Sequence, residues 1–180
     1  MSSHSRIMWI GQGSGVSLFY PDNRCVALRM MEHGKDLTNC CPQQIIEDHH
    51  GTVWISLDNE GIIRITGNAF YPSSLHYHQY CKDKGNLAVN DVTACYEDSR
   101  HRLWAISNSG GLFLYNFSKD RFDSMNATYH IPGDRIFTIQ EDHRGALWLS
   151  TDNALICIPA EKKQASRIFG EEDGLPRLLF

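Results

Sequence analysis

The stretch Ile45–Ile65, IIEDHHGTVWISLDNEGIIRI, carries the reading on which the fold rests. An apolar pair runs into Glu47-Asp48, a His-His-Gly turn follows, and Trp54 lies inside a β-favouring run. Asp58-Asn59-Glu60-Gly61 then breaks the chain before a second apolar run. The same order returns at Glu97-Asp98 with Trp104 and at Glu141-Asp142 with Trp148, always six positions from Asp to Trp. Counting Trp9, the tryptophans stand 45, 50 and 44 residues apart. A period of this length marks a structural unit that cannot bury its apolar face alone, so the chain reads as an array.

One block shows the content of the unit. In Val92–Met125 the strands are Val92–Tyr96, Leu103–Ser107, Leu112–Tyr115 and a weaker one around Phe122. The second block aligns with strands at Ile45-Ile46, Val53–Leu57, Ile62–Ile65 and His76–Tyr80. The fourth aligns at Ile136–Gln140, Leu147–Ser150, Leu155–Ile158 and Arg167–Phe169. Gly51 and Gly145 supply the positive φ of a tight turn, and His101 at the same position implies a different turn in block three. Four short antiparallel strands per repeat describe an all-β propeller blade. Trp9, Trp54, Trp104 and Trp148 read as packing residues. Asp48, Asp98 and Asp142 read as turn acceptors, because a catalytic carboxylate pair is needed once and this one occurs three times.

The register sets the expected boundaries: blades at 1–39, 40–90, 91–134 and 135–176, and a stub at 177–180. Ser2-Ser3 stand where block one should have its acidic pair, so that blade is expected to lack its inner strand. Two arrangements fit. The stub could complete block one and close a four-bladed ring, or the chain could be an arc of a larger propeller. The stub's four residues without an acidic pair favour the arc.

Composition narrows the function. With 42% hydrophobic and 21% charged residues and a net charge of −4, the chain is an ordinary globular one with no basic footprint for nucleic acid. No apolar run approaches the roughly 18 residues of a membrane span, and the N-terminus lacks the pattern of a secretory signal. Cys25, Cys40, Cys41, Cys81, Cys95 and Cys157 share no repeat phase and no CxxC spacing, so they are expected as mostly buried small apolar residues. No metal or cofactor is expected.

IIEDHHGTVWISLDNEGIIRI and IFTIQEDHRGALWLSTDNALICI (Ile136–Ile158) resemble the two-component regulator propeller repeat: an inner strand ending in Glu-Asp, a Gly turn, a Trp strand and a Gly-rich turn. His33–Asn39 and Glu172–Pro176 are similar to that family's segments between blades. Ala154, where a turn Gly is usual, and His101 depart from the pattern. The resemblance implies a seven-bladed propeller in the periplasmic sensor region of bacterial hybrid two-component systems. It also implies a glycan or oligosaccharide ligand and control of polysaccharide-utilisation genes. The kinase and transcription regulator would lie outside this chain.

A meander gathers the turns between second and third strands and the linkers between blades at one end. That end should hold Asp58, Asn59, Asn108, Asp152 and Asn153, with the linker residues Asn39, Tyr77, Tyr80, Asn90 and Arg135. Planar polar groups interspersed with aromatics suit a sugar, and these ten residues are the candidate ligand-binding set. The remaining blades, or a second copy in a homodimer, are the expected protein partners. Two alternatives stay open. One is a protein-interaction scaffold. The other is a polysaccharide hydrolase or lyase, for which His76-x-His78 is the best non-repeating pair.

Overall fold

A six-residue step from Asp to Trp spans a strand end, a tight turn and the start of the returning strand. A computed structural model shows why the step never varies. It describes residues 7–131, 135–160 and 165–175. Asp48 Oδ1 accepts the backbone N–H of His50 and of Thr52, both at 2.9 Å, and Oδ2 accepts the Trp54 indole N–H at 2.8 Å. Asp98 does the same with Arg100, Arg102 and Trp104, and Asp142 with Arg144, Ala146 and Trp148. One carboxylate thus satisfies the turn's inward donors and the indole that follows it into the core.

The chain divides into two compact units, Met1–Cys95 and Tyr96–Phe180. The first holds a three-stranded sheet of β1 (Met8–Gln12), β2 (Gly15–Phe19) and β3 (Cys25–Ala27) and a hairpin of β4 (Met31–Glu32) and β5 (Lys35–Asp36). Its second blade is β6 (Pro42–Glu47), β7 (Val53–Leu57), β8 (Gly61–Thr66) and β9 (His76–Tyr80), hydrogen-bonded in that order. A third sheet follows in the order β10 (Val92–Glu97), β11 (Leu103–Ser107), β12 (Gly111–Asn116), β13 (Arg121–Ser124). The fourth is β14 (Ile136–Glu141), β15 (Leu147–Thr151), β16 (Leu155–Ile158), β17 (Arg167–Phe169). Every paired register is antiparallel, as short connections require. Block one has three strands among the described residues. Met1–Ser5 and the expected stub at 177–180 lie outside them.

Packing between blades is of one kind within each unit. β1 lies against β6 in the first and β11 against β14 in the second, the Trp strand of one blade against the first strand of the next. Val53, Ile55 and Leu57 join Val16 and Leu18 in one apolar cluster, while the Ser56 hydroxyl on the other face donates to Thr93 O. In the last acidic pair Glu141 has a task of its own. Its carboxylate takes the Ser99 N–H at 2.7 Å and the Ser99 hydroxyl at 2.6 Å, in the turn of the preceding blade. Asp ties its own turn, and Glu141 ties the blade before it.

Two local expectations are corrected. His101 takes a φ of +59°, beside +77° at Gly51 and +78° at Gly145, and donates to Asp98 O as those glycines donate to Asp48 O and Asp142 O. The turn is therefore the same in all three blocks, with the histidine held in a conformation unfavourable by about 1–2 kcal/mol. Ala154 does not replace a glycine. Trp148 pairs Cys157, nine residues on, whereas Trp54 pairs Arg64 and Trp104 pairs Leu114, ten on, so this turn is one residue shorter. The longer turn requires Gly61, at φ +83°, where an added Cβ would fall 2.0 Å from Tyr80 O. The segment His33–Asn39 runs between the first and second blade sheets and begins inside the β4–β5 hairpin, with His33 and Gly34 at positive φ in its turn. Of the six free cysteines, Cys40, Cys81 and Cys95 are buried, while Cys25 and Cys41 are exposed.

The hairpin is fastened by a buried carboxylate. Glu32 is 5% exposed, accepts the Gln79 N–H at 3.1 Å, lies 3.0 Å from His78 Nδ1 and pairs with Lys84 Nζ. Lys35 adds a bond to the Gln79 side chain. Burial alone would raise the Glu32 pKa, but Lys84, the Gln79 N–H and His78 together hold it below its ordinary 4.5. A depressed carboxylate stabilises the fold above its unfolded pKa and loses that contribution as pH falls through the folded value. Glu32→Gln should therefore cost about 1–3 kcal/mol at neutral pH and far less in acid, where wild type has lost the same charge. Urea unfolding at pH 7 and in acid well below the folded pKa reads both; an equal loss at the two pH values would refute the assignment.

Candidate functional site

The residues singled out from the sequence fall into two groups, one in each unit, at the end where the β7–β8 and β15–β16 turns lie. In the first unit Asp58 N–H donates to Cys41 O and Gly61 N–H to Asn90 O, so this turn sits between two linkers. Asp58 and Asn59 are exposed and bonded to each other at 3.0 Å. Asn90 is half-buried and accepts the Lys82 N–H, while Asn39 is exposed in its linker. In the second unit Arg135 lies 3.8 Å from Asp152 and 6.0 Å from the Phe137 ring, with Asn153 exposed beside them in the turn. Asn108 is exposed in the β11–β12 turn, whose Ser109 and Gly110 N–H groups bond the Ser107 hydroxyl. Most of these amides and carboxylates are occupied in shaping turns.

Neither tyrosine presents its ring to solvent at this end. Tyr80 is fully buried, its ring 5.8 Å from that of Trp54 and covered by the Arg64 guanidinium. Phe169 holds the same relation to Trp148, also at 5.8 Å. Tyr80 is thus the fourth-strand residue that packs on the blade's tryptophan. Tyr77 pairs with Ile65 near the other end of β9 and packs half-buried on the unit's core, where burial pushes its phenol up to about 12. His78 Nδ1 lies against Glu32, and neither it nor the exposed His76 lines either cavity described next.

Concave space lies at the opposite end, where first-to-second-strand turns meet third-to-fourth-strand loops. In the second unit a cavity of about 450 Å³ is lined by Asp142, Arg144, Trp148, Arg167 and Phe169. In the first, one of about 370 Å³ is lined by Trp9, Glu47, His50, Asn68 and Phe70 above an apolar floor. None of these residues was among the ligand-binding candidates read from the sequence, where Trp9, Asp142 and Trp148 were named for structure and Glu47, His50, Arg167 and Phe169 only as parts of strands and turns. One signal was present: the 50-residue spacing of Trp54 and Trp104 holds a nine-residue loop, 67–75, where block three has only residues 117–120. The tyrosine correction yields a direct test. Tyr80→Ala should lower stability by about 3–5 kcal/mol in urea unfolding, and a change below about 1 kcal/mol would return Tyr80 to the surface.

Comparison with known proteins agrees with this geometry. Residues 130–153 match the family model of the two component regulator propeller. No curated protein matches the chain. Among solved structures, the extracellular domain assigned to a hybrid two component system of B. thetaiotaomicron superposes with a TM-score of 0.75 at 22% identity, covering 94% of this chain and 22% of that one. A second such domain from B. thetaiotaomicron gives 0.73 at 16% identity, covering 92% and 23%. A streptogramin B lyase gives 0.60 at 14% identity, covering 94% and 53%. The chain therefore spans about a fifth of the length of the two sensor domains. At these identities the likeness is one of fold. The chain is an array of β-propeller blades in which residues 130–153 match the two component regulator propeller model.

Proposed function

We propose that this chain is the ligand-sensing part of a β-propeller in a bacterial two-component signalling protein, that its ligand is a glycan or oligosaccharide, and that it performs no catalysis itself. The match at residues 130–153 supports the signalling context, as do the names of the two sensor domains that share its fold. The same names support a position outside the cytoplasm. Among the described residues no helix is long and apolar enough to cross a membrane. Kinase and transcriptional output would belong to other parts of the protein.

The observation that carries the reading is one-sided burial in the fourth blade. β7 and β11 are buried at all five positions, whereas β15 alternates, with Leu147, Leu149 and Thr151 buried and Trp148 and Ser150 half-exposed. Leu155, Cys157 and Phe169 are half-exposed as well. A face that carries the blade's tryptophan, yet stands partly open, suits a further blade, and supports reading the chain as part of a larger sensor propeller. Signalling then requires that the ligand bind two arrangements of that propeller unequally. The lyase likeness keeps a catalytic reading in view.

Thermal unfolding with a panel of oligosaccharides, paired with chromatography of the sugars, separates the readings. A saturating ligand at about 100 times its Kd should stabilise the chain by about 2.7 kcal/mol and be recovered intact. Cleaved sugar would support the lyase reading. Absence of any shift across the panel would count against glycan sensing by this chain.

A further inference from the structure

We infer that the β8–β9 loop and the cavity beneath it form a binding subsite for neutral pyranose rings, at the end of the blades opposite the turns first singled out; the inference rests on the glycan reading above. The loop is rigid by construction. Phe70 N–H donates to Asn68 Oδ1 at 2.9 Å, Tyr71 N–H to Asn68 O at 2.9 Å, and Ser74 N–H to Tyr71 O at 2.8 Å. The Ser74 hydroxyl closes the same turn on Tyr71 O, and Pro72 opens the short 3-10 turn Pro72–Ser74. Gly67, at φ +113°, has Ser74 O 2.4 Å from where a Cβ would stand. From the neighbouring blade, the buried Tyr20 donates its hydroxyl to Ala69 O at 2.7 Å.

This fixed backbone presents two adjacent aromatic side chains to solvent, Phe70 at 52% and Tyr71 at 67% exposure. Neither side chain is needed for the hydrogen bonds that hold the loop. Phe70 also lines the cavity, which has Val53 and Ile65 at its floor, Trp9 on a wall and Glu47, His50 and Asn68 around it. About 370 Å³ lies within the ordinary range of ligand pockets. An aromatic ring beside a carboxylate, an imidazole and an amide matches a pyranose, which offers an apolar C–H face to stack and hydroxyls to bond. The Glu47 carboxylate disfavours uronate or phosphate groups, which narrows the class to uncharged sugars. Trp9 contributes its ring from the preceding blade, so the subsite exists only where two blades are joined.

The test uses the full 180-residue chain in isothermal titration with cellohexaose, mannohexaose, xylohexaose and the acidic hexagalacturonate. Two variants accompany it: Phe70→Ala/Tyr71→Ala, and Asn59→Ala/Asp152→Ala at the other end. At least one neutral hexasaccharide should bind wild type, and Phe70→Ala/Tyr71→Ala should weaken it by about tenfold or more with unchanged Tm. Asn59→Ala/Asp152→Ala should leave the affinity as it was. Loss only in Asn59→Ala/Asp152→Ala, or equal affinity in both variants, would overturn this site and leave glycan sensing standing. Binding of hexagalacturonate alone would overturn the neutral class. No binding of any hexasaccharide would overturn both the site and the glycan reading.

Discussion

The fold depends on one carboxylate used three ways. In each of the three blades with an acidic pair, an Asp at the end of the first strand receives two backbone N–H groups of the turn and the indole N–H of a Trp six residues on. The turn makes the strands antiparallel, the indole bond brings the largest side chain into the sheet at a set height, and the burial of that side chain stabilises the blade. Removing the carboxylate would leave three donors short of an acceptor, two of them in the backbone, so the pieces stand or fall together. This explains why the Asp–Trp spacing is constant while the turns around it vary in sequence.

The same unit explains how blades join. A Trp strand contacts the first strand of the following blade, and Glu141, next to the Asp that ties its own turn, reaches back to Ser99. Adjacent Glu and Asp point to opposite sides of a strand, so the Glu141-Asp142 pair serves both the turn within its blade and the seam to the blade before it. Trp104 is fully buried, while Trp148 is half-exposed.

The periodic part of the fold was legible in the sequence because it is written three times. Blade strands in blocks two to four fall where the spacing puts them, within one to three residues. What was not legible is what happens once. The β4–β5 hairpin depends on a buried Glu32 whose partners, His78, Gln79 and Lys84, lie more than 45 positions away. Tyr80 looked like a linker aromatic, and only its alignment with Phe169 in the last block reveals its packing role. His101 was misjudged for a different reason: a hydrogen-bonded turn can impose the left-handed conformation on a residue that would not choose it. For the candidate site, turn residues drew attention to one end of the blades, whereas the cavities lie at the other, where the connections differ most.

The most direct test of the account is a double-mutant cycle on Asp98 and Trp104, comparing Asp98→Asn, Trp104→Phe and the double variant by urea unfolding. These substitutions alter the indole–carboxylate bond with little change of shape elsewhere. If that bond organises the blade, the cycle gives a coupling of about 1–3 kcal/mol. Losses that add to within about 0.3 kcal/mol would contradict it, and the repeated Asp–Trp spacing would then need another physical cause.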